Sequence, residues 1–278
     1  MLPDRRFRNQ SRRFWAYVRL ISEDSGYSKR GTPLMRRYER GDIVETMWNR
    51  GLSVEEVFQE GSLTRFGQRL LSYLNYRAEL LESQVEPALM NREQARRHFE
   101  SLRDKLDPQC VLPMNRQTGE KRHHNFLTCI VNMLTEQQLG GVHFDSDPHK
   151  LTAITANNKP VRTLSRRMDG AYPGISNPVA VWELKGYYGT TSFGSRIADA
   201  VYETELDGLQ LAELEEHEGI RVRHYFIADG HRAWWGDGRS YLCRLVDLLH
   251  MGLVNEILFG RQALTGWPEI VSTWPSRT

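Results

Sequence analysis

Arg167-Met168-Asp169-Gly170-Ala171-Tyr172-Pro173-Gly174, followed by Val179-Ala180-Val181-Trp182-Glu183-Leu184-Lys185, sets the architecture of this chain. An acid, Asp169, closes one expected strand, Val161 to Asp169. A Pro/Gly loop then leads to an apolar strand that carries Glu183 and Lys185. Side chains alternate faces along a strand, so Glu183 and Lys185 point the same way. Val179 to Trp182 is apolar enough for an interior strand rather than a solvated edge. A carboxylate and an ammonium there cost free energy unless something compensates them. A divalent cation shared by Asp169 and Glu183 would do so.

Composition frames this stretch. A length of 278 residues suits one large domain or two small ones. Hydrophobic content of 40% and charged content of 26% are ordinary for a globular protein. No apolar run reaches the roughly 20 residues that span a bilayer. The arginine-rich start has no apolar core of a secretory signal, so a cytoplasmic location is expected. Cys110, Cys129 and Cys243 have no metal-type spacing and read as reduced thiols. Net charge is only +2, but it is unevenly spread. Residues 1–130 carry 23 Lys/Arg against 17 Asp/Glu, and residues 131–278 carry 14 against 18. The basic half can face a phosphate backbone, and the acidic half holds Asp169 and Glu183.

The first 107 residues read as helical. Phe14 and Val18 suggest an amphipathic helix among Arg5, Arg6, Arg8, Arg12 and Arg13. A basic helix is expected over Leu34 to Arg50, with Arg36, Arg37 and Arg40 near one face. Gly51 and then Ser53-x-x-Glu56 look like a turn and a capped helix, either a helix-turn-helix unit or a plain helical hairpin. Phe66, Leu70, Leu74 and Leu81 keep helical period. Pro87 is expected to open a further helix that ends at Asp107-Pro108. After a polar loop with Lys121 and Arg122, a helix is expected from Asn125 to Leu139. Short strands are expected at Val142 to Phe144 and Leu151 to Thr155. From Arg196 to about Glu216 a helix would keep Ala198, Val201, Tyr202, Leu206 and Leu209 on one stripe. Val222 to Ala228 reads as a buried strand, Tyr241 to Gly252 as a closing helix, and the remainder from Gly260 as a tail carrying Trp267 and Trp274.

Asp169, Glu183 and Lys185 in this order resemble the nuclease superfamily named for its Pro-Asp…(Asp/Glu)-x-Lys motif, with Met168 in place of the proline. The resemblance implies an α/β (α+β) fold. Its restriction-endonuclease-like core would be a central mixed β-sheet flanked by helices, over residues 111–278, beside an N-terminal helical region, residues 1–110. It implies Mg²⁺ held by Asp169, Glu183 and the main-chain carbonyl of Leu184, with Glu136 of the preceding helix as a further ligand in some members. Lys185 would orient the attacking water. Arg36, Arg37, Lys121, Arg122, Arg166, Arg167, Tyr187, Thr190, Thr191 and Ser192 are the expected DNA contacts. The size and the absence of an ATP-binding signature resemble a type II restriction endonuclease. Such an enzyme would be a homodimer on double-stranded DNA, paired with a DNA methyltransferase and leaving 5′-phosphate ends. The other readings are a structure-specific repair or junction-resolving nuclease and a DNA-binding protein that has kept the fold without catalysis.

Overall fold

Side-chain caps set where the N-terminal helices begin. Ser11 accepts from the Phe14 amide and starts α1, Arg12–Ser25. Asp42 reaches back to the Glu39 amide at 2.7 Å and starts α2, Arg40–Asn49. Thr64 caps α3, Arg65–Leu80, and an Asn91/Gln94 capping box opens α4, Arg92–Leu106. This computed structural model describes residues 1–278 apart from 30, 116–117, 120–121, 190–192 and 276–278 and the side chains of 193–195.

Three expectations for this region are corrected. The basic helix begins only at Arg40, so Arg36 and Arg37 precede it, outside any helix or strand. No helix starts at Ser53-x-x-Glu56, and the next one, α3, begins only at Arg65. The Ser53 hydroxyl accepts from the Glu55 amide in a local turn, and a two-residue hairpin follows, β1 Phe58–Gln59 and β2 Ser62–Leu63. The second helix of a helix-turn-helix unit is therefore missing. Pro87 sits in a short 3-10 turn and the next helix starts later, where Asn91 and Gln94 can satisfy its free amides.

Helix α5, Phe126–Leu139, packs on α4, which shares a core with it through Ala95, Phe99, Phe126 and Ile130. Two strands, β3 Ala153–Ala156 and β4 Lys159–Thr163, form a separate hairpin. The central sheet then contains β5 Gly170–Tyr172, β6 Ala180–Gly186, β7 Arg223–Asp229 and β8 Glu256–Phe259, in the order β5-β6-β7-β8. β5 runs antiparallel to β6, and β6, β7 and β8 are parallel, so the sheet is mixed. Parallel neighbours need crossovers. α6, Phe193–Glu218, and α7, Arg239–Met251, supply them. α8, Gln262–Ser272, closes the chain.

Helices cover both faces of the sheet. On one face Trp182, Leu184, Tyr225, Ile227 and Leu258 meet α5 and α8. On the other, Phe226, Ala228, Ile257 and Phe259 meet α6, α7 and Trp234. Arg77 of α3 is buried and pairs with Asp247 of α7 at 2.8 Å, and Tyr73 and Ser22 complete that network. It ties the first helices to the sheet layer. Among the described residues no helix is long and apolar enough to cross a membrane.

The C-terminal half differs from expectation in four places. Residues 142–144 form no strand; only Asp145 bridges to Ala171. Asp169 stands just before β5 instead of ending a strand from Val161, because β4 stops at Thr163 and an irregular connection follows. Tyr202, Leu206 and Leu209 are exposed on α6, while Val201, Leu211 and Leu214 face inward. The stretch read as a tail lies beside a missed strand, β8, and becomes α8, with Trp267 and Trp274 packed on Trp182 at ring separations of 5.4 and 5.6 Å. Three apolar residues after Glu256, between helices, carry no period from which a strand can be told.

Candidate active site

β6 lies between β5 and β7. Its alternation sends Trp182 and Leu184 toward α5 and α8, and leaves Glu183 and Lys185 on the α6 side. Glu183 is fully buried. β5 begins at Gly170, opposite Trp182, so no β5 residue pairs with Leu184. The Asp169 carboxylate fills that gap: its Oδ2 accepts from the Leu184 amide at 2.8 Å, while the Asp169 amide donates to the Trp182 carbonyl at 3.1 Å. A strand residue turns its amide and carbonyl to the same neighbour, so the Leu184 carbonyl faces the Asp169 side as well. Gly170 makes this approach feasible. A Cβ on it would stand 2.0 Å from the Trp182 indole.

α6 contributes two acids that sequence reasoning missed, Glu203 and Asp207. At i and i+4 they share one helix face. β4 and the connection after it are fastened along that face: Arg162 to Glu213, Ser165 to Gln210, and Arg166 to both Asp207 and Glu203. The regular 203, 207, 210, 213 spacing of polar residues was the available signal.

Arg166 is at the centre of the cluster. Its Nη2 donates to Glu183 Oε1 at 2.6 Å and its Nη1 to Glu183 Oε2 at 3.0 Å. Nη1 also reaches Asp207 Oδ2 at 2.7 Å, and Nη2 reaches Glu203 Oε2 at 3.1 Å. Lys185 Nζ pairs with Glu183 Oε1 and lies 3.1 Å from Glu203 Oε2. Four carboxylates, Asp169, Glu183, Glu203 and Asp207, thus stand around two cations, Arg166 and Lys185. Glu183 and Asp207 are sealed, whereas Glu203 is 37% exposed, so the cluster opens on the Glu203 side.

The electrostatics follow from burial and this shortfall of positive charge. Burial, and then Glu183, push Asp169 up to about 7; Lys185, the Leu184 amide and Arg166 offset only part of this. Burial pushes Asp207 up to about 6 against the pull of Arg166. Burial would also raise Glu183, but Lys185 and Arg166 outweigh it and hold that carboxyl below its ordinary value. Burial would lower Lys185, but Glu183 and Asp169 raise it, so the amine stays charged.

The structure therefore brings together Asp169, Glu183, Leu184, Lys185 and Arg166. Other candidates lie elsewhere or are spent on internal contacts. Glu136 accepts from the Gln109 amide at 3.0 Å beside Cys110, on the α5 side of the sheet, away from the face that carries Glu183. Arg36 pairs with Asp42, and Arg37 with Glu82 at 2.6 Å. Arg122 and Arg167 are exposed. Tyr187 stacks on Trp234 and donates to the Arg196 carbonyl. Lys121, Thr190, Thr191 and Ser192 lie outside the described residues. Among the described residues no three His, Cys, Asp or Glu side chains converge as a ready ligand set, and the Arg166 guanidinium lies among the acids.

No curated protein and no solved structure matches the chain. Two family models do, one described as domain of unknown function DUF7690 over residues 1–84 and the other spanning residues 90–274. They meet at the turn around Pro87, where α3 gives way to α4. The second model covers well over half of the sequence, and the chain belongs to its family, described as domain of unknown function DUF7687.

Proposed function

We propose that this protein is a Mg²⁺-dependent endonuclease that hydrolyses phosphodiester bonds of double-stranded DNA, with Asp169, Glu183 and Lys185 as its catalytic set on a restriction-endonuclease-like core. One observation carries the reading: the Asp169 carboxylate rests on the Leu184 amide, between Glu183 and Lys185, at the C-terminal end of an interior strand. Open sheets of parallel strands bind ligands outside such ends.

The donor set suits the ion. Two carboxylates and the Leu184 carbonyl are hard oxygen donors of the kind Mg²⁺ takes. The surplus of two negative charges in the cluster favours a divalent cation over an empty pocket. When bound, Mg²⁺ supplies Lewis acidity at the scissile phosphate. The protein's own groups do the remaining work. Lys185 keeps its proton and offers a fixed positive charge to the attacking water and the pentavalent transition state. Glu203 positions the Lys185 ammonium from α6 at 3.1 Å. Arg167, exposed and next in sequence to Arg166, can take a DNA phosphate. The narrower form of the proposal is a type II restriction enzyme, homodimeric on its site and accompanied by a methyltransferase.

Incubation of the protein with phage DNA and Mg²⁺ tests this. Discrete fragments with 5′-phosphate ends are expected, and Asp169→Ala, Glu183→Ala and Lys185→Ala should each abolish them in folded protein. Wild-type cleavage by Glu183→Ala would remove the assignment. A ladder that follows branched or damaged structure instead of sequence would point to a repair or junction-resolving nuclease.

A further inference from the structure

Glu183 must serve a cation if the proposed function holds, yet both of its oxygens are engaged. Arg166 grips them in a two-pronged fork, and Lys185 shares one. The two cations are mounted differently. Lys185 belongs to β6, which is paired with β7 at that position. Arg166 lies in the irregular connection between β4 and β5, outside any strand ladder, between buried Leu164 and Met168 and next to Ser165, whose amide donates to Gln210 of α6. The Arg166 side chain is 19% exposed, and Arg167 beside it is in solvent. A guanidinium fork fits a phosphate as well as a carboxylate, so it can trade one for the other without losing its hydrogen bonds.

Resting on the nuclease reading above, we propose that Arg166 is a phosphate-responsive latch. In the DNA-free protein it occupies Glu183, Asp207 and Glu203. A backbone phosphate at the mouth of the cluster draws the guanidinium outward and leaves the Glu183 oxygens to a divalent cation. The charge exchange is favourable. The site gives up one positive charge to the phosphate and takes two from the ion, which moves four carboxylates closer to neutrality. DNA and cation then bind with positive coupling, and by reciprocity each tightens the other. The latch would weaken loading of the cation until substrate is in place, without abolishing it.

The test measures Mn²⁺ binding to the full-length protein from the EPR signal of the free ion, with and without sheared phage DNA, after subtracting Mn²⁺ taken up by DNA alone. The wild type is expected to bind Mn²⁺ about 10-fold more tightly with DNA, within the usual range for coupled sites. Arg166→Gln is expected to bind it tightly without DNA and to gain no more than about 2-fold from it. Arg166→Lys, which keeps the charge but cannot span three carboxylates, should lose most of the coupling as well and serves if the glutamine variant fails to fold. A DNA effect of equal size in wild type and Arg166→Gln would mean that the guanidinium only neutralises charge, and would overturn the latch. So would a wild type indifferent to DNA. Mn²⁺ binding that survives Glu183→Gln unchanged would instead overturn the cation site itself, and with it the proposed function.

Discussion

Asp169→Asn should make the cation-free protein more stable while destroying the activity proposed for it. Burial and the neighbouring Glu183 carboxylate push Asp169 from 3.8 up to about 7. A carboxyl with a raised folded-state pKa costs nothing below its unfolded value, because it is protonated in both states. The cost grows as pH climbs through that window and is complete once pH passes the folded value. A gap of roughly 3 pH units corresponds to about 4 kcal/mol, an order-of-magnitude figure. Asparagine keeps an oxygen to accept from the Leu184 amide at 2.8 Å and carries no charge. At pH 8 in chelator the variant is therefore expected to be more stable by up to about 4 kcal/mol, which for a chain of this size is a rise of about 10 °C in Tm. At pH 4 the two proteins should melt together. Mg²⁺ at pH 8 should raise the wild-type Tm and leave the variant unmoved. Urea or thermal unfolding at both pH values reads this directly. A variant less stable at pH 8, or a difference that ignores pH, would refute the electrostatic account of the cluster.

Two further perturbations test the frame around the site. Gly170→Ala places a methyl 2.0 Å from the Trp182 indole and must push β5 from β6. A loss of about 1–3 kcal/mol or more is expected, together with weakened near-UV dichroism from the packed tryptophans, and an unchanged Tm would contradict the packing described. Arg77→Met strips the buried partner from Asp247 and should cost about 3–5 kcal/mol. Adding Asp247→Leu to it should restore most of that loss in urea titrations, and failure to do so would show that the network is not what binds α3 to α7.

Asp169, Glu183 and Lys185 were visible in the sequence because their signal is local. Strand alternation sets which side chains share a face, and the apolar run from Val179 to Trp182 marks the strand as interior. The interior position of β6 and the end of α4 before Pro108 were equally legible, since each depends on a few consecutive residues. The roles of Arg166, Glu203 and Asp207 could not be read that way. Arg166 looks like a phosphate contact until α6, some forty residues later, folds back and offers it acids. Tyr202, Leu206 and Leu209 fit a helical stripe as well as the inward set does, and only the sheet on one side of α6 decides which stripe is buried. Local chemistry therefore named the strand and its charged pair, whereas the balance of charge around them was decided by tertiary contacts, because electrostatic neighbours in a folded chain are set by distance in space and not by separation along it.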